Sequence, residues 1–132
     1  MSSAASLRGR RLLILEDEAL VAMCVKMMLS ELGANVVATA GSISRGLTLL
    51  VDGALEIDAA VLDVNMGAEP SYPIADLLIS RGVPFIFATG YRAASIPARF
   101  GHIATVAKPF DERSLEAKLL TAISEGAAKA HD

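Results

Sequence analysis

With 132 residues the chain has room for one domain around one hydrophobic core. Its apolar fraction of 53% and mean hydropathy of +0.48 are high, yet no apolar run approaches the roughly 20 residues of a membrane-spanning helix, so no membrane partner is expected. The net charge of −3 lacks the basic footprint of a nucleic-acid binder, and the single cysteine, Cys24, excludes an intramolecular disulfide and points to a cytoplasmic protein.

Residues 1–10 (MSSAASLRGR) read as a flexible leader, and Leu12–Leu15 after them is too short for a secretory signal core. That run is the first expected strand, and it stops at three consecutive acids, Glu16, Asp17 and Glu18. A helix follows, with Val21, Cys24, Val25, Met28, Leu29 and Leu32 on a core-facing stripe and Gly33 as its stop. Val36–Ala38 is a second strand, and Ser42–Val51 a weaker helix containing Gly46. Ala59–Val64 is the third strand, apolar except at Asp63. Gly67–Pro70 reads as a loop, and Pro73 opens a third helix that ends near Arg81 and Gly82. Phe85–Ala88 and Thr105–Ala107 are the last two strands. Between them Pro97 removes a backbone donor and pushes Ile96 towards extended backbone, so a full fourth helix gives way to one turn, Pro97–Phe100, in a mobile segment. Asp111 caps a last helix from Glu112 to about Ala127, and 128–132 remain as a tail. The alternation of strand and helix over 11–127 predicts one α/β domain, a parallel sheet with helices on both faces, whose ligands bind outside the carboxyl ends of the strands.

On that frame the strands deliver Glu16, Asp17, Asp63, Thr89 and Lys108 to one rim of the sheet. The acidic triplet alone reads as a solvated helix entry, and Lys108 alone as a solvated lysine. Asp63 inside an apolar strand is the least ordinary of them, because a buried unpaired carboxylate is costly. Carboxylates crowded together need a compensating cation, and hard oxygen donors suit Mg²⁺. A carboxylate can also attack phosphorus to form an aspartyl phosphate, which Lys108 and the Thr89 hydroxyl could stabilise.

The motifs LILEDE, VLDVNM, FATG and AKPF, in this order, resemble the receiver domain of two-component response regulators, over nearly the whole chain from about Arg11. The resemblance implies a doubly wound five-stranded sheet of flavodoxin-like order 2-1-3-4-5. It implies Asp63 as phosphoacceptor, Asp17 and Asp63 as side-chain ligands of Mg²⁺, the Asn65 carbonyl as a further ligand, and Glu16 acting through a metal-bound water. Thr89 and Lys108 match the hydroxyl and lysine that contact the phosphoryl oxygens, and Lys108–Pro109 matches a cis peptide. The run PFIFATGY resembles a stand-alone alphaproteobacterial subgroup with a Phe-Ala-Thr-Gly signature. Three features depart from the common pattern: Glu16 replaces aspartate, Thr105 replaces an aromatic that swings inward on activation, and the stretch from Thr89 to Lys108 is short. Tyr91 stands two residues after Thr89, where it could gate the pocket.

The function so implied is a single-domain response regulator, phosphorylated by a histidine kinase or histidine phosphotransfer protein. It would act on an unknown downstream protein as relay intermediate, adaptor or phosphate sink, and catalyse only its own phosphorylation and dephosphorylation, as a monomer or weak dimer. No effector domain is expected after the last helix. An aspartate-nucleophile phosphatase would want a second aspartate at position 65, which is Asn. A module that has lost phosphorylation fits poorly with a full set of polar site residues, and a dinucleotide-binding domain lacks its glycine-rich turn. On the first helix, Leu20, Met23 and Met27 remain off the core stripe as an outward apolar strip, expected to dock the kinase.

Overall fold

The computed structural model describes residues 6–51, 53–90 and 96–130. Strand β1 (Arg11–Leu15) is apolar without alternation because both faces of the sheet are covered. Leu12 and Ile14 pack on one side with α1 (Ala19–Glu31) and α4 (Glu112–Ala130), while Leu13 and Leu15 pack on the other with α2 (Ile43–Val51) and α3 (Tyr72–Ser80). The same division runs through β3 (Ala59–Asp63) and β6 (Phe85–Thr89), where Ile86 and Ala88 face the first cluster and Phe85 and Phe87 the second. With β2 (Asn35–Ala40) and β7 (Thr105–Ala107) the sheet order is β2-β1-β3-β6-β7, all neighbours parallel. This is the doubly wound order the sequence implied, because β4 (Asn65–Met66) and β5 (Glu69–Pro70) form a separate antiparallel pair.

That pair corrects the expected loop at Gly67–Pro70. Three further expectations change. Cys24 is exposed and not on the core stripe. Val25 and Leu29 are buried, and Val21, Met28 and Leu32 pack beside them, which leaves Cys24 roughly a quarter turn off the stripe's centre. Leu7, inside the expected leader, has no exposed surface, and Gly9 and Gly33 share a backbone bond of 2.8 Å. The last helix runs on to Ala130, into the expected tail. Gly33 does end α1, at φ +88°, and the Ala34 N–H reaches back to the Leu29 carbonyl at 3.0 Å. Asp111 caps α4 by accepting the Ser114 N–H at 2.8 Å.

The expected single turn between β6 and β7 is present as a 3-10 turn, Ala98–Phe100, after an extended Pro97. Phe100 is buried against Tyr72 and Phe87, with ring centroids 5.3 and 5.6 Å away, and Arg99 reaches Asp76 on α3 at 3.1 Å. This half of the segment is therefore fastened to α3. Tyr91 lies outside the described residues.

Gly46 weakens α2 as a helix former, and packing is the reason for its presence. A Cβ there would meet Ile74 Cδ1 at 2.9 Å and Leu15 Cδ1 at 3.1 Å, both in the core. Gly46→Ala is expected to destabilise the fold by about 1–2 kcal/mol despite the better helix propensity. Adding Ile74→Val, which removes the nearer methyl, should cancel most of that cost in thermal or urea melts; strictly additive losses would contradict the packing account.

Candidate functional site

Each candidate side chain is placed by the end of a strand. The Glu16 N–H continues the β1 pairing by donating to the Ala40 carbonyl at 3.0 Å, which draws Glu16 into the buried rim. Asp17 and Glu18, beyond it, are exposed. Asp63 is the last residue of β3 and Thr89 the last of β6, and both are buried. Lys108 follows β7, and its N–H donates to the Thr89 carbonyl at 2.7 Å. The Lys108–Pro109 peptide is cis.

The Lys108 ammonium joins the two buried carboxylates, donating to Glu16 Oε1 at 2.7 Å and to Asp63 Oδ2 at 3.1 Å. Glu16 Oε2 accepts the Glu18 N–H at 3.0 Å, so both oxygens of Glu16 are engaged. Carboxylate oxygens of Glu16, Asp17 and Asp63 lie within 4.8 Å of one another. One ammonium thus faces three carboxylates. Burial and the Glu16 charge push Asp63 up from 3.8 to about 6, against the pull of Lys108. Burial also works against the charge on Lys108, but its hydrogen bonds to Glu16 and Asp63 outweigh this and raise its pKa.

A hard divalent cation would relieve this excess of negative charge, and an all-oxygen donor set is what Mg²⁺ or Ca²⁺ takes. Asp17 and Asp63 have the freer carboxylates. Asn65 lies on β4 opposite Pro70 in a non-hydrogen-bonded pair, so its carbonyl turns away from the partner strand. The site also contains Gly67, at φ +67°, whose Cβ position lies 3.7 Å from Asp17 Oδ2. Gly67 was legible only as a turn residue: Gly-Ala between Met66 and Glu69 is a two-residue hairpin signal. Away from the rim, Leu20 is 77% exposed and Met23 and Met27 58% each, all on α1.

No family model and no curated protein matches the chain. Solved structures do. The chain is 39% identical to SdrG from Sphingomonas melonis Fr1 in its solution structure, over 94% of this chain and 99% of that one, with a TM-score of 0.76. It is similar to the BeF3-activated conformation of SdrG from Pseudomonas melonis Fr1, at 39% identity, over 93% and 98% of the two chains, with a TM-score of 0.70. A response regulator receiver protein from Sinorhizobium medicae WSM419 shares the fold at 22% identity, over 92% and 99%, with a TM-score of 0.73.

The electrostatics give a pH signature. Because the folded-state pKa of Asp63 is raised to about 6, its contribution to stability is full below 3.8 and is lost as pH rises through 6. Relative to Asp63→Asn, the metal-free protein should lose stability between those limits, and millimolar Mg²⁺ should restore much of it at neutral pH. Thermal melts across pH with and without Mg²⁺ check this; a pH-independent difference between the two proteins would contradict it.

Proposed function

The chain belongs to the response-regulator receiver family, and on that premise we propose that it is a single-domain phosphorylation switch using Asp63 and Mg²⁺. The observation that carries this reading is Lys108 bridging buried Glu16 and Asp63 at the rim where Asp17 also stands. Asp63 attacks the phosphorus of a phosphohistidine on a histidine kinase or histidine phosphotransfer protein. The new O–P bond forms as the P–N bond breaks, and the electron pair leaves with the imidazole, which takes up a proton. Asp17 and Asp63, with the Asn65 carbonyl, would hold the metal. Bound there, Mg²⁺ supplies neutralisation of charge on the phosphoryl oxygens. Glu16, with both oxygens engaged, acts by holding Lys108 rather than as a direct ligand. Lys108 and the Thr89 hydroxyl contact the transferred oxygens and orient them.

Turnover is confined to the protein's own phosphorylation and dephosphorylation, and output passes to a downstream protein as relay, adaptor or phosphate sink. Thr105 is exposed and carries no ring, so signalling by an inward aromatic swing at that position is not available to this chain. The kinase docks on Leu20, Met23 and Met27, an exposed apolar strip on the helix that leaves the site rim. Thioethers adapt their shape to a helical partner.

Asp63→Asn should abolish hydroxylamine-sensitive labelling by a small phosphodonor such as acetyl phosphate; undiminished labelling would move the acceptor elsewhere. Met23→Glu with Met27→Glu should slow phosphotransfer from the cognate kinase by roughly tenfold or more while leaving acetyl phosphate labelling intact. Equal kinase rates in a folded variant would rule out the strip as the docking face.

A further inference from the structure

The segment between Asp63 and α3 is built around one glycine. The Ser71 N–H donates to the Val64 carbonyl at 2.8 Å and closes the base of the β4–β5 hairpin, and buried Met66 anchors one strand in the core. Met66 pairs with Glu69, which leaves Gly67 and Ala68 as a two-residue connection. Gly67 carries the positive φ of +67°, and among the described residues no non-glycine residue has one. A two-residue hairpin turn opening in this conformation favours glycine at its first position, since a Cβ there is strained. The tip so formed lies over Asp17, the exposed member of the carboxylate group, with Asp17 Oδ2 3.7 Å from where a Cβ would stand. The same hairpin carries Asn65 opposite Pro70 in a non-hydrogen-bonded pair, next to the bonded Val64 and Ser71, so the Asn65 carbonyl turns away from the partner strand.

We infer that Gly67 is a positioning residue for the metal site: it sets the β4–β5 hairpin so that Asp17 and the Asn65 carbonyl are presented together. This rests on the reading of Asp17, Asp63 and Asn65 as Mg²⁺ ligands. A side chain at 67 acts twice. It strains the turn that fixes Asn65, and it places a methyl in contact with the Asp17 carboxylate, restricting its rotation and access to water. Outer groups that orient metal ligands commonly change affinity tenfold or more without touching the ion.

The test is Mg²⁺ affinity of the full chain by calorimetry, with metal-free thermal melts alongside. Gly67→Ala should weaken Mg²⁺ binding about tenfold. Gly82→Ala is the control, because Gly82 has nearly the same φ, +69°, and nothing within 4 Å of its Cβ position. It should lower the metal-free melting temperature comparably and leave Mg²⁺ affinity unchanged. Should Gly67→Ala not fold, Gly67→Asn carries the test: asparagine tolerates a positive φ, and its side chain beside Asp17 should still weaken binding about tenfold. Parental affinity in Gly67→Ala, or an equal loss in Gly82→Ala, overturns the inference, and in the fallback case parental affinity in Gly67→Asn does. If the parent chain itself binds no Mg²⁺, the metal-site reading fails first and this inference with it.

Discussion

The ammonium of Lys108, held between Glu16 and Asp63, is the contact on which the rest of the rim depends. Two carboxylates from neighbouring strands end in one buried corner, where neither could stay ionised without a cation. Lys108 reaches them from the far edge strand and thereby ties β1, β3 and β7 together at their carboxyl ends. It compensates only part of the negative charge. Burial and the Glu16 charge still push Asp63 up to about 6, and Asp17 adds a third carboxylate to the corner. A divalent cation would offset that excess.

The opposite end of the sheet shows the contrast. There Arg11, opening β1, donates through its backbone N–H and its guanidinium to Asp58 at 2.7 and 3.2 Å, and to Glu56 at 2.6 Å. Burial works against the Asp58 charge, but the Arg11 hydrogen bonds hold its carboxyl below the usual range. At this end a guanidinium is shared by two carboxylates, whereas at the other a single ammonium faces three. That excess stands outside the carboxyl ends of the strands, where ligands bind in open α/β sheets.

Much of this was legible in the sequence because buried parallel strands read as continuous apolar runs. Asp63 stood out against such a run, and Glu16, Thr89 and Lys108 were located by the ends of theirs. What escaped depended on three-dimensional neighbours. The i, i+3, i+4 pattern placed Cys24 on the core stripe, but it lies off the line of Val25 and Leu29 and is exposed. The leader looked mobile because residues 1–10 are small and basic, yet Leu7 finds a place in the core beside α1. Gly46 read as a weak point in a helix when it is the place where Ile74 and Leu15 come close. The hairpin at Asn65–Pro70 was too short to register as strand, and its turn glycine acquires meaning only through the Asp17 carboxylate beside it.

The most direct test of the account is the amide spectrum of the protein titrated with beryllofluoride, a phosphoryl mimic, in the presence and absence of Mg²⁺. The account predicts large shifts at Asp63, Thr89, Gly90 and Lys108 only when both are added, and none in Asp63→Asn. Equal shifts without Mg²⁺, or shifts that persist when Asp63 is replaced, would contradict it.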